Sequence, residues 1–295
     1  MASQYETSRN NPRNFKALTS LSLEAFDALL PVFEGELEDF FYRFTLQGTP
    51  RARKYSPKNP GQLPTPADKL FFVLYFKKNN PLQEAMAAFF GLDVSMCNKW
   101  IHILMPVLEK SLKKKAPSRS EKDVSLEEGV EYMIDGTERP VNRPTYDQEG
   151  CYSGKKKAHT VKNLLITAPG GKIVWLGPTE AGKAHDKKMA DKITFSNKAR
   201  MLADLGFMGW KPENLELSLP IKKPKNTKTE TRELTEEQKS FNKGHAARRV
   251  AVEHSIGSAK IMRIAKDKNR NWKEGFRDLI MVLACSLHNF RLDFV

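Results

Sequence analysis

Three acids stand in settings suited to metal-dependent chemistry. Asp135 follows the apolar run Glu131-Tyr132-Met133-Ile134 and precedes Gly136-Thr137, and Asp204 follows RMLA and precedes Leu205-Gly206. Glu253 lies within the helical stretch RRVAVEHSIGSAK. A carboxylate just past a buried strand is held rigidly at a sheet edge, and a third acid from a packed helix would complete an oxygen cage. Mg²⁺ prefers such hard oxygen ligands and keeps several waters, so few carboxylates suffice. Two ions about 4 Å apart can clamp the attacking and leaving oxygens of an in-line phosphoryl displacement. Taken singly, each acid is equally a cap, a turn residue or half of an ion pair.

Glu253 has suggestive neighbours. Arg249 precedes it by four residues and Lys260 follows by seven, so at about 100° per residue all three share one helix face. Such a face can hold a metal with its acid and phosphates with its bases, or carry a plain Arg249–Glu253 pair. Lys155, Lys156 and Lys157, with His159 and Lys162, read as a basic strand edge suited to a DNA backbone or as a solvated run. His185-Asp186 precedes a helical stretch, where Asp186 reads equally as a cap or as support for the acids.

The elements that must position these residues change character along the chain. Residues 1–19 are polar and read as a flexible lead-in. Residues 20–115 are helical, with expected interruptions at Pro31 and Gly35, a Thr65-Pro66 helix start and a kink at Pro106. Within 65–115, Ala87 at a crossing, Gly91 in a turn and apolar Met86, Phe90, Leu92, Cys97 and Trp100 fit a helix-turn-helix. Its second helix would then turn Ser95, Met96, Asn98, Lys99 and His102 towards a major groove. Arg51, Arg53 and Lys54 in the preceding loop, and the Lys-rich stretch 221–232, are further basic segments. Residues 116–128 have linker composition. Beyond them, VEYMID, HTVKNLLIT, KIVWLG, RMLAD and LELSLP read as strands, Gly170-Gly171 as a hairpin turn, and 185–194 and 235–265 as helices, the latter opened by the capping box Thr235-x-x-Gln238. This mixture predicts an α/β (α+β) catalytic domain over 129–295.

Composition agrees with a polyanionic partner. The net charge is +14 and the pI near 9.6. Residues 1–120 carry 17 Lys/Arg against 11 Asp/Glu and the remainder 32 against 24, so no single tail explains the excess. No apolar run reaches the roughly 18 residues that span a bilayer, and no signal-peptide stretch opens the chain. Cys97, Cys151 and Cys285 lack metal-ligand spacing and are expected as reduced thiols in a cytoplasmic, DNA-associated protein.

Several segments together resemble the DDE transposases of bacterial insertion sequences, in the group related to Harbinger elements. They are IDGTERPV, YSGKKKAHTVKNLLIT, GKAHDKKM, ADLGFMGW and RRVAVEHSIGSAK, preceded by ADKLFFVLYFK and AAFFGLDVSMCNKWI, in that group's order across roughly residues 20–290. The resemblance implies a ribonuclease-H-like domain behind an all-α helix-turn-helix domain, with Asp135, Asp204 and Glu253 binding two Mg²⁺ ions, for which Mn²⁺ can substitute. It implies cleavage at element ends and strand transfer into target DNA by a homodimer or larger assembly on double-stranded DNA. Ser95, Asn98, Lys99, His102, Lys155, Lys156, Lys157, Arg249 and Lys260 become DNA contacts, with His185 and Asp186 behind the metal ligands. Related transposases carry Tyr three residues before the Arg. Here that residue is Ala246, so no Tyr-dependent role transfers. The alternatives are a domesticated, non-catalytic DNA-binding protein and a ribonuclease-H-like endonuclease without strand transfer.

Overall fold

The computed structural model describes residues 2–53, 61–120, 122–224, 233–271, 273 and 275–294. Lys54 and the 225–232 part of the Lys-rich stretch fall outside them. Contacts divide the chain into two units, Met1–Ala116 with Ala259–Val295, and Pro117–Ser258.

The first unit is helical. The lead-in expected to be flexible instead forms α1 (Gln4–Arg9), whose Ser3 and Glu6 complete a capping box, and α2 (Pro12–Thr19), capped by Asn11 with Pro12 at its first turn. Two aromatic residues anchor this polar segment. Phe15 is fully buried, and Tyr5 stacks on Phe26 at 5.4 Å between ring centroids. Helix α3 (Leu23–Arg43) runs unbroken through Pro31 and Gly35, because Phe26, Leu29, Phe33, Leu37 and Phe41 bury one continuous face on either side of them. Helix α4 (Pro66–Asn79) starts with the Thr65 box and stops at Asn80, whose φ of 47° ends helical bonding. Helix α5 (Gln83–Phe90) ends at Gly91, where φ is 65°, a left-handed turn glycine accepts without a Cβ clash. Helix α6 (Val94–Ser111) continues past Pro106 without a break in its helical assignment. Met86, Ala87, Phe90, Cys97 and Trp100 are buried, as a helix-turn-helix core requires, while Leu92 is half-buried.

The second unit opens with β1 (Glu131–Pro140), then α7 (Gln148–Cys151), β2 (Tyr152–Ser153), β3 (Ala158–Thr167), β4 (Ile173–Leu176), β5 (Glu180–Ala181), α8 (Asp186–Ala190), β6 (Ala199–Leu202), β7 (Leu215–Ser218) and α9 (Glu236–Ala259). Strand β3 pairs antiparallel with β1 along one edge and with β2, β5 and β4 along the other. Strands β6 and β7 continue the sheet parallel to β1, giving the path β2-β3-β1-β6-β7. This is the α+β, ribonuclease-H-like class expected. Tyr132, Ile134, Leu164 and Ile166 form a core with Met189 and Ala190 of α8, Ile193, Phe207 and Trp210. Helix α9 makes contacts along several strands. The His245 ring bonds Ser218 O at 3.1 Å, Arg248 pairs with Glu131 at 2.8 Å, and Ser255 Oγ donates to Gly171 O at 2.8 Å. The expected opening box also forms, with reciprocal Thr235–Gln238 bonds of 3.1 and 3.2 Å.

Residues beyond α9 depart from the expected 129–295 domain. Helices α10 (Arg263–Lys266) and α11 (Phe276–Arg291) belong to the first unit. Ile280–Leu287 of α11 are all buried, and α6 supplies apolar surface for them. Arg270 ties the same segment to the end of α4 through Asn80 O at 2.8 Å and Pro81 O at 2.9 Å. The helix expected over 235–265 therefore ends at Ala259, where the chain leaves its second unit. No helix among the described residues is long and apolar enough to cross a membrane.

Lys77 of α4 is completely buried, and its Nζ has no hydrogen-bond partner among the described residues. Burial, reinforced by Arg291, holds its pKa well below the usual lysine value. Between that lowered value and about 10.4 the unfolded chain binds a proton the native chain refuses, so stability rises with pH across the window. Replacing Lys77 by Met should raise stability at pH 7 by about 1–3 kcal/mol and flatten this rise, as read from thermal unfolding at pH 7 and pH 9.

Candidate active site

Parallel pairing of β1 with β6 ends at Met133↔Leu202. Asp135 and Asp204 each lie two residues beyond that last pair, so the same register carries both acids to one end of the two strands. Strand β1 itself does not stop there. It continues to Pro140 against β3, with Asp135 opposite Leu165, so Asp135 is mid-strand rather than strand-terminal. From β1 the chain turns to β3 on one side, and from β6 to β7 on the other, so the direction of the strand order reverses between β1 and β6.

Both acids are oriented by the backbone that follows them. Asp135 Oδ1 accepts the Gly136 N–H at 2.8 Å, and Asp204 Oδ1 accepts the Gly206 N–H at 2.7 Å. Asp186, the first residue of α8, does not cap that helix; His185 holds the cap position and makes no side-chain cap bond. The Asp186 carboxylate lies over both glycines. A Cβ on Gly136 would fall 2.7 Å from Asp186 Oδ1, and one on Gly206 would fall 3.0 Å from Asp186 Oδ2. Three aspartates thus gather where the two parallel strands end.

Two cations answer them. Arg249 of α9 places Nη2 3.6 Å from Asp135 Oδ2, with both side chains largely buried. Lys162 of β3 is buried between Asp186 Oδ1 at 3.2 Å and Glu138 Oε1 at 3.7 Å, and donates to Ala184 O at 3.1 Å. The expected basic strand edge therefore lacks Lys162, because the side chain points into the unit. Among the described residues, Asp186 Oδ1 has no hydrogen-bond partner despite that ion pair and its burial, and neither has the buried Arg249 Nε. Burial pushes the Asp135 carboxyl up to about 6. Gly136 and Arg249 hold it down, while Asp204 and Asp186 press it further up.

An excess of negative oxygen, one of them buried and unbonded, fits a hard divalent cation better than any group already present. As the side chains stand, no three His, Cys, Asp or Glu among the described residues are grouped closely enough to hold a metal ion. Glu253 lies one turn beyond Arg249 on α9 and is exposed, outside the aspartate cluster. Lys260 falls in the turn after α9, so the shared helix face extends only to Arg249 and Glu253.

The remaining expected contacts divide. Ser95 and Lys99 of α6 are exposed. Asn98 instead donates to Gln83 of α5 at 3.2 Å, and His102 packs edge-on against Phe276 at 5.7 Å, with burial lowering its pKa. Both are half-buried and each is engaged by a neighbouring helix residue, unlike the exposed Ser95 and Lys99. Lys155, Lys156 and Lys157 are exposed at the tip of the β2–β3 hairpin rather than along a strand edge. His185 is exposed. Glu138 carries no sequence expectation, and Lys162 is expected at the basic strand edge rather than beside the acids. Their one signal was a lysine in register with the apolar Leu164 and Ile166 of β3.

Residues 134–289 match the family model described as DDE superfamily endonuclease. The chain is also 27% identical over 287 residues to a protein of Microchaete diplosiphon named "Probable transposase for insertion sequence element IS702", covering 95% of both chains. No solved structure matches.

The raised Asp135 carboxyl sets a pH dependence. The native chain holds this proton up to about pH 6 and the unfolded chain only to about 3.8, so metal-free stability falls as pH rises between them. Asp135→Asn should remove that fall and raise stability at pH 7.5 by about 2–3 kcal/mol, measured by thermal unfolding with chelator across pH 4.5–7.5.

Proposed function

Because the chain belongs to the DDE superfamily endonucleases, we propose that it is a transposase. It cleaves DNA at the ends of its element and joins the freed 3′-hydroxyls to target DNA. The observation that carries this reading is the matched placement of Asp135 and Asp204, two residues beyond the last β1–β6 pair, with Asp186 held against both following glycines. The whole-length likeness to the Microchaete diplosiphon protein supports transposition over DNA cleavage alone.

Asp135 and Asp204 would hold Mg²⁺, with Glu253 turning inward from the adjoining helix face as the third ligand. A divalent cation there supplies Lewis-acid polarisation of a phosphoryl oxygen and neutralises charge during in-line displacement. Burial makes the ionised form of Asp135 costly, so cation binding would favour its charged form. Arg249 neutralises Asp135 in the free protein and can turn to a phosphate oxygen once that acid is engaged. Lys162 fixes Asp186 and so keeps the loop holding Gly206 in register with Asp204. Water cleaves the element end, its oxygen forming the new phosphorus bond as the 3′ oxygen departs as a hydroxyl. That hydroxyl then attacks a target phosphorus, its oxygen forming the new bond as the target strand's own 3′ oxygen departs as a hydroxyl. The exposed lysines of the β2–β3 hairpin, with Ser95 and Lys99, supply backbone contacts. Joining both ends to one target calls for at least two copies of the chain.

Band-shift and cleavage assays on one preparation test this reading, with circular dichroism as a check on folding. Glu253→Gln should bind element-end DNA normally yet cleave at least about a hundredfold more slowly in Mg²⁺. Asp186→Asn should cost about 10–100-fold through misplacement of its neighbours. Lys260→Ala should weaken end binding and slow cleavage. Near-normal cleavage by Glu253→Gln would assign the third ligand elsewhere. Cleavage without joined products would mark a nuclease.

A further inference from the structure

The helical first unit contains a cleft of about 400 Å³ between the start of α5, the middle of α6, residues 269–271 and Phe276. That volume falls within the usual range for small-molecule sites. Phe76, Leu82, Ile264, Phe276 and Ile280 make much of its wall apolar. Asn269 is only 7% exposed, and its Oδ1 accepts the Asn271 N–H at 2.8 Å. That bond fixes the amide's orientation and leaves Nδ2 buried in the cleft wall with no hydrogen-bond partner among the described residues. Asn98 and Gln83, joined by a 3.2 Å bond from Nδ2 to Oε1, line the same cleft. Their other ends, Asn98 Oδ1 and Gln83 Nε2, offer one acceptor and one donor.

We propose that this cleft receives a single nucleobase turned out of the DNA stack. The proposal rests on the DNA-directed function argued above. A base has flat apolar faces and a mixed donor–acceptor edge, which matches apolar walls bearing amides. A phosphate would find the opposite setting. Glu84 lines the cleft, and Arg270 is committed to Asn80 O, Asn80 Oδ1 and Pro81 O. Burial, and then Lys273, lower the His102 pKa and so disfavour its charged form. The inward turn of Asn98 and His102 thus acquires a purpose, since α6 presents Ser95 and Lys99 to solvent and its amide and imidazole to the cleft.

Fluorescence anisotropy of the full chain, at one salt concentration, compares a duplex carrying one unpaired base with the same duplex fully paired. The unpaired-base duplex should bind about tenfold tighter. Asn269→Ala removes the unmet donor, and Leu82→Trp fills the cleft from a side chain that is 60% exposed, so the fold is spared. Both should erase the preference while leaving paired-duplex affinity within about twofold. Free nucleosides should compete with the preference and inorganic phosphate should not. Equal binding of both duplexes by the unaltered chain, or a preference surviving both variants, would overturn the proposal. So would competition by phosphate but not by nucleosides. Those results leave the DNA-directed reading intact, whereas failure to bind either duplex contradicts that reading and the pocket with it.

Discussion

Parallel pairing between β1 and β6 covers only Glu131↔Arg200 to Met133↔Leu202, and the site depends on where it stops. Beyond that last pair, Asp135 stays in the ladder with β3 while Asp204 is past the end of β6, so the two acids share a register with no strand pairing between them. Each is then oriented by a backbone N–H close after it, from Gly136 or Gly206. Those glycines leave room for Asp186, which a Cβ at either position would displace.

The arrangement is electrostatically unfavourable without a cation. Burial raises the Asp135 carboxyl to about 6, and the neighbouring aspartates oppose its ionisation further. Arg249 and Lys162 offset part of the excess charge, but a buried Asp186 oxygen has no hydrogen-bond partner among the described residues. Such a cost is expected where stability is given up for function.

How much could be read in advance follows from what each signal depends on. Asp135 and Asp204 were legible because each follows a short apolar run, a pattern local in sequence. Strands β3, β4, β6 and β7, the first half of β1 and the Gly91 turn were legible for the same reason, whereas the two-residue strands β2 and β5 were too short to show a pattern. The involvement of Lys162 was legible only in part, since its register with Leu164 and Ile166 marks an inward side chain while its partners Glu138 and Asp186 are distant in sequence. His102 and Asn98 were misread because their partners, Phe276 and Gln83, are set by packing between helices. Helices α1 and α2 were hidden by polar composition, with Tyr5 and Phe15 too sparse to show a period. Helix α11 showed no boundary between domains, so its return to the first unit emerged only from the contacts its buried residues make.

The central claim is that the aspartates at the β1–β6 ends form a divalent-cation site. Crystals soaked in Mn²⁺ and measured at the manganese absorption edge test it directly, because the anomalous signal locates the ion independently of any assay. The account predicts a peak bonded to carboxylate oxygens of both Asp135 and Asp204, lost when Asp204 is replaced by Asn. A well-ordered map with no peak there, or with manganese bound only elsewhere, would contradict it.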